Sequence, residues 1–249
     1  MKDSKFNRWF NIFILAGMSV ALIITTVFKL GGTQAGKVLL LVSAFGSLMG
    51  VLSTVCSANG KIITFLFGLL DVAIYGVMCL INWRGGNSGL GNAILHFIYF
   101  VPMQFVGFAQ WRRHGASGGG KVKARRLSGR QWLLYMSVFV VGSVAAYLVI
   151  ARFDRSAADT FIKTAVVLDV LPLMCNIIGQ LLMSMAYMEQ WLFWIGVNIT
   201  SIVMWSVTLA GNPSDSYAVI YIIKYSFYLL NSFNGLRIWL NLSREGCLD

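Results

Sequence analysis

Apolar residues fall in eight long blocks along this chain, at roughly 9–29, 38–57, 62–82, 91–111, 131–151, 161–185, 191–210 and 217–239. Each approaches the ~20 residues that a helix needs to cross a bilayer. Most blocks are separated by short turn-rich connections, GGTQAG, CSANG, WRGGNSG, MEQ and AGNPSDS, and only 112–130 is long. Period-2 alternation is absent from the blocks, and backbone polar groups in hydrocarbon must be satisfied within their own segment. The pattern therefore predicts eight transmembrane helices in an all-α membrane protein, not barrel strands.

Several blocks carry polar residues where lipid would ask for none, and such residues usually face a bundle interior or a wet path. At roughly 100° per residue, Trp191, Trp194, Asn198 and Trp205 fall within an arc of about 60° on the seventh block. Thr64, Asp71 and Tyr75 share a face of the third, and Asp169, Asn176 and Gln180 one of the sixth. The eighth carries Tyr217, Tyr221, Lys224, Tyr228 and Asn231, and the fourth His96, Phe100 and Gln104. Each stripe also has a plainer reading. Asp71 can pair with a neighbour, Asp169 can be interfacial, Lys224 can snorkel, and Trp191 can anchor at the membrane interface. His96 reads best as an interior packed residue. Pro102 and Pro172 lie inside blocks, where they kink a helix and release a carbonyl.

A shift of 128 residues lays FIYFVPMQFVGFAQW (97–111) on YSFYLLNSFNGLRIW (225–239). Phe97, Tyr99 and Phe100 then meet Tyr225, Phe227 and Tyr228. Phe105, Gly107 and Trp111 meet Phe233, Gly235 and Trp239, and the same shift puts Gly68 on Gly196. The organisation expected is an extra N-terminal helix in 1–36, a three-helix unit in 37–111, a basic loop and linker helix in 112–152, a second three-helix unit in 153–240, and a tail in 241–249. An odd linker lets the second unit enter the membrane in the direction of the first. This gives a parallel repeat with a site expected between the halves.

Composition agrees with the pattern. Of 249 residues, 57% are hydrophobic and only 12% charged, against about a quarter charged in soluble domains; the mean hydropathy is +0.72. The net charge of +11 is a topological signal rather than a nucleic-acid one, since its largest cluster lies in the loop 112–130. With the N-terminus inside, the cytoplasmic segments hold 13 Lys and Arg and the outer ones 6, which predicts both termini in the cytoplasm. Four cysteines without a CxxC pair and two histidines support neither a disulfide framework nor a zinc site. The motifs HExxH and GxSxG and the P-loop are absent, so neither catalysis nor direct use of ATP is expected, and no cofactor.

The two three-helix units, the linker helix, the WxxWxxxN element (Trp191, Trp194, Asn198) and the paired GxxxW helix ends (Gly107/Trp111, Gly235/Trp239) resemble the PnuC family of bacterial vitamin transporters. The resemblance covers about 38–240; the helix 9–29 is an addition to a seven-helix core. It implies a fold similar to the SWEET transporters, a homotrimer in the bacterial inner membrane, and facilitated diffusion of nicotinamide riboside. It further implies trapping by a cytosolic riboside kinase that feeds NAD synthesis. On this reading Trp194 stacks on the pyridinium and Asn198 pairs with the carboxamide. Gln104, Tyr228 and Asn231 take ribose hydroxyls, Trp191 serves as a gate or belt residue, and Phe100, Gln180, Asp71, Lys224 and Asp169 complete the candidate set. The same fold carrying thiamine, another flat cation or a nucleoside stays open, as does a membrane-embedded enzyme or binding protein.

Overall fold

The computed structural model describes residues 5–30, 34–85, 90–116, 120–153, 164–211 and 216–245. Lys2, Arg155 and Lys163 of the charge balance lie outside them, as does the side chain of Tyr217. The described residues are helical throughout, apart from turns and one extended segment. The elements are α1 (Lys5–Lys29), α2 (Gln34–Ala58), α3 (Thr64–Arg84), α4 (Leu90–Leu95), a π-helical turn (His96–Phe100), α5 (Val101–Arg113), α6 (Gly129–Phe153), α7 (Thr164–Ser184), α8 (Gln190–Gly211) and α9 (Ser216–Glu245). Each apolar block is matched by a helical stretch, the fourth in three consecutive pieces. Among the described residues, seven stretches are long and apolar enough to cross a membrane, one in each of the first seven blocks. The helix of the eighth block, α9, is the longest at 30 residues but is not among them; its serines, asparagines, Lys224 and Arg237 dilute its hydropathy.

The π turn has a local cause. Pro102 stands at the start of α5. It has no N–H to give the carbonyl one turn back, and its ring crowds that carbonyl. Widening the preceding turn to i→i+5 spacing relieves both problems, and the N–H of Val101 bonds to the His96 carbonyl.

The helices form two compact units. The first contains the described residues up to Lys123, with Ser184–Ala186 and the end of α9; the second contains Ala124–Met183 and Tyr187–Ser243. In the first unit α1 lies along α2, α2 along α3, and α3 along the α4–π–α5 stretch. The buried stripe of α1 is Asn7, Ile14, Met18 and Ala21, spaced like one seam of a coiled coil. Its other positions, Trp9, Phe13, Val20 and Val27, are exposed. Asn11 extends the seam and exchanges two amide hydrogen bonds with Asn59, at 3.2 and 3.1 Å. In the second unit α6 packs on α7, with Val166, Val170 and Met174 buried against Phe139, Ala146, Tyr147 and Ile150. The rest of α6 is an apolar surface, including Leu133, Val141 and Leu148, as suits contact with lipid tails.

Candidate functional site

In the first unit, α3 and α5 meet where Gly68 leaves room for a side chain. Gln104 fills that room; a Cβ built on Gly68 would lie 2.6 Å from its Oε1 and 3.1 Å from Ser53 Oγ. Gln104 is 3% exposed. Its Nε2 reaches the Phe100 carbonyl at 3.4 Å, while Oε1 is buried with no hydrogen-bond partner among the described residues. Beside it Ser53 Oγ donates to the Thr64 carbonyl at 2.8 Å and Thr64 Oγ1 to the Ser53 carbonyl at 2.9 Å. Asp71 lies against the backbone of Gly50. Phe100 is buried on the π turn, 4.9 Å from the His96 ring, which lies 4.6 Å from Tyr75. His96 therefore packs between aromatic rings, with Nδ1 held by the Asn92 carbonyl at 2.8 Å.

In the second unit the ring of Trp194 lies on Gly179, 3.3 Å from where a Cβ would stand. Asn198 is buried, and its Nδ2 donates to Ser232 Oγ at 3.1 Å; Ser232 Oγ in turn donates to the Tyr228 carbonyl at 2.9 Å. The amide of Asn198 is therefore oriented by α9. Asn231 is fully buried and Gln180 is 6% exposed. Lys224 Nζ stands 5.8 Å from the Tyr221 ring centre and 5.7 Å from that of Tyr228, within cation–π range. Tyr221 also stacks on Trp205, at 4.3 Å and 11° between planes. Asp169 is exposed on α7.

Trp191 does not behave as an interfacial anchor. It is 1% exposed, and its ring covers Gly235 so closely that a Cβ there would lie 2.5 to 2.6 Å from three ring carbons. It meets Trp239 edge-on at 6.4 Å. The first unit repeats the arrangement with Phe65 over Gly107 and edge-on to Trp111 at 4.8 Å. Position in the helix suggested a belt residue; only the bare backbone of Gly235 shows why a Trp is wanted there.

The turns before α3 and α8 also match. Gly60 has φ 67 and Ala186 φ 60, the left-handed conformation that closes a helix C-terminus. Lys61 N–H bonds to the Cys56 carbonyl at 3.0 Å and Tyr187 N–H to the Leu182 carbonyl at 2.9 Å. Three amides at each helix start follow suit. Those of Thr64, Phe65 and Leu66 bond to the carbonyls of Lys61, Ile62 and Ile63, and those of Gln190, Trp191 and Leu192 to the carbonyls of Tyr187, Met188 and Glu189.

The order in the basic loop is not legible from its residues alone. Val122, Ala124 and Leu127 are buried, while Lys123, Arg125, Arg126 and Arg130 are exposed. In the first unit Val122 N–H donates to the Gly60 carbonyl at 3.1 Å and Lys123 N–H to the His114 carbonyl at 2.7 Å. In the second unit Met188 N–H donates to the Arg125 carbonyl at 2.9 Å, and Leu127 N–H to Glu189 Oε1 at 3.0 Å. No group of three or more His, Cys, Asp or Glu side chains suited to a metal occurs among the described residues.

Comparison with known proteins gives this arrangement a family. The chain is 35% identical over 207 residues to a nicotinamide riboside transporter PnuC of Neisseria mucosa, covering 82% of this chain and 73% of that protein. It is 31% identical over 200 residues to a nicotinamide riboside transporter PnuC of Haemophilus influenzae, covering 80% and 78%. A crystal structure of the vitamin B3 transporter PnuC superposes with a TM-score of 0.67 at 30% identity, over 97% of this chain and 93% of that one. The nicotinamide mononucleotide transporter family matches residues 40–241. These are transporters and not enzymes, and the chain belongs to this family, the PnuC transporters.

Proposed function

We propose that the chain carries nicotinamide riboside across the bacterial inner membrane by facilitated diffusion. The observation that carries this reading is the 35% identity, over 82% of the chain, to a protein named as a nicotinamide riboside transporter. The chemistry of the second unit agrees with it. Trp194 on Gly179 offers an aromatic face, which attracts a pyridinium cation by roughly 0.5–2 kcal/mol. Asn198, oriented by Ser232, offers an amide suited to a carboxamide. Asn231 and Tyr228 of the second unit and Gln104 of the first are the ribose contacts proposed. Gln104 Oε1, buried without a partner, is an acceptor that a hydroxyl would satisfy. Phe100, Gln180 and Asp71 are proposed as lining residues. Lys224 is proposed to bias selection by its charge, and Asp169 drops to the edge of the set.

Alternating access by two related three-helix units is the transport cycle proposed, with α6 as linker and α9 crossing as the eighth helix, polar face inward. Paired local geometry supports the repeat. It also favours a register of 126 residues for the first two helices, which pairs Gly60 with Ala186, Phe65 with Trp191 and Gly68 with Trp194; the third helices keep 128. Both termini in the cytoplasm, a homotrimer and trapping by a riboside kinase complete the proposal.

Purified protein in liposomes should move labelled riboside down its gradient without ATP, at a rate unchanged when a protonophore collapses the pH gradient. Uptake that needs the gradient overturns facilitated diffusion. Competition by unlabelled mononucleotide or thiamine, in place of riboside, reassigns the substrate.

A further inference from the structure

The turn before α8 holds an acid that the turn itself does not need. The equivalent turn before α3 closes with a residue in the same left-handed conformation, Gly60 in place of Ala186, and with the same hydrogen bonds, yet it has Ile63 where the later turn has Glu189. Ile63 is 44% exposed, and Glu189 is 3% exposed. Burying a carboxyl is costly unless it is bonded. Glu189 Oε1 takes the N–H of Leu127, and Oε2 has no partner among the described residues. What distinguishes the two turns is the segment that lies on the second. Met188 N–H bonds to the Arg125 carbonyl, the Arg125 guanidinium sits 4.5 Å over the Tyr187 ring, and Gln131 Nε2 donates to the Tyr187 hydroxyl at 2.9 Å. Ala124 and Leu127 are buried.

We propose that Ala124–Leu127 is a strap fastened to the start of α8 by Glu189, and that Glu189 is a positioning residue which fixes the tilt of the helix bearing Trp194 and Asn198. Glu189 precedes Trp194 by five residues and Asn198 by nine, or about 7.5 and 13.5 Å along a helix axis. Both lie within reach of a rigid lever. A helix start held by a hydrogen bond to a buried carboxyl and by a backbone bond moves as one piece with the strap. A start released from them frays and tilts, since the first turn of a helix has few bonds of its own. Transport requires the helix to pass repeatedly between defined positions, whereas equilibrium binding requires only that one of them be populated. The strap therefore acts on rate more than on affinity.

This inference rests on the transport reading above, and the test separates the two. Glu189→Ala, Glu189→Gln and Tyr187→Phe are reconstituted in liposomes beside wild type. Riboside uptake and riboside binding by calorimetry are both measured. Glu189→Ala should slow uptake by about tenfold, as expected when a buried hydrogen bond is lost and its donor left unsatisfied, with Kd within about twofold of wild type. Glu189→Gln keeps an acceptor for Leu127 N–H and should restore most of the rate. Tyr187→Phe cuts the Gln131 bond just beyond the Leu127 end of the strap and should slow uptake to a smaller degree; it carries the test if Glu189→Ala does not fold. Hydrogen exchange over 187–198 should quicken in Glu189→Ala, a readout independent of the substrate carried. Absence of uptake by wild type would sink the transport reading alone. Unchanged uptake and exchange in Glu189→Ala and Tyr187→Phe, a Kd that rises in step with the rate loss, or a Gln variant as slow as the Ala variant would overturn the strap.

Discussion

At the scale of single residues, the chain uses glycine to make room for rings. Gly235 under Trp191, Gly107 under Phe65 and Gly179 under Trp194 are three such sites. A methyl group at Gly235 would enter the van der Waals radius of three carbons in a ring that is 1% exposed. Overpacking of that kind costs about 1–3 kcal/mol. Gly235→Ala should therefore lower the unfolding temperature measured by scanning fluorimetry, and adding Trp191→Phe should recover part of the loss. An equally stable Gly235→Ala would mean that the Trp191 ring can shift. The contact role of Trp194 is separable from packing. Trp194→Ala uncovers Gly179 and removes the aromatic face, so riboside Kd should rise about tenfold, corresponding to roughly 1–2 kcal/mol of lost cation–π attraction. A Kd unchanged by calorimetry would remove Trp194 from the site.

At the scale of elements, existence and extent were legible and connections were not. Eight apolar blocks give the helical stretches because a membrane helix must be apolar for about twenty residues, a signal too long to be mimicked by a turn. Pro102 marked a kink, but whether a proline bends a helix or widens it into a π turn depends on the tertiary setting of the preceding turn. The strap was illegible for another reason. Lys121–Leu127 alternates exposed and buried residues, but only for a few positions, among glycines and charges that read equally well as a solvated loop. The repeat reading rests on aromatics and glycines that coincide in 97–111 and 225–239. Gly68 and Gly196 align by type at a shift of 128, whereas the positive-φ turns at Gly60 and Ala186 align at 126. That geometry makes a prediction of its own. Gly60 and Ala186 hold the same positive φ, a conformation that costs an ordinary residue about 1–2 kcal/mol. Gly60→Ala should destabilise the protein by about 1 kcal/mol in thermal unfolding. Ala186→Gly should gain less than that, because Ala186 is fully buried and its methyl contacts, worth about 0.8 kcal/mol, are lost.

At the scale of the whole molecule, α1 lies outside the family match but within the superposition on the PnuC crystal structure, which covers 97% of this chain. The family match begins at residue 40, after α1 has ended at Lys29. The helix buries one stripe against α2 and presents Trp9, Phe13, Val20 and Val27 outward, a surface suited to lipid. Within hydrocarbon, apolar contact between helices offers little advantage over contact with lipid tails, so polar pairs contribute a larger share of what holds a helix in place. The reciprocal amide bonds of Asn11 and Asn59 are such a pair. Asn59 also donates to the Val55 carbonyl at 2.8 Å, so it is set in place by α2 before α1 arrives. Interhelical bonds of this kind average about 0.6 kcal/mol in membranes, enough to fix register but not enough to hold the fold together. Removal of residues 1–33 should therefore leave a folded protein that binds riboside with a Kd within about twofold of wild type and unfolds a few degrees earlier. Asn59→Ala in the full chain should reproduce part of that thermal loss without changing Kd, since it breaks the pair and leaves the apolar seam of Ile14, Met18 and Ala21. Loss of riboside binding on truncation, in protein that still elutes as a single species, would make α1 part of the binding fold instead of an addition to it.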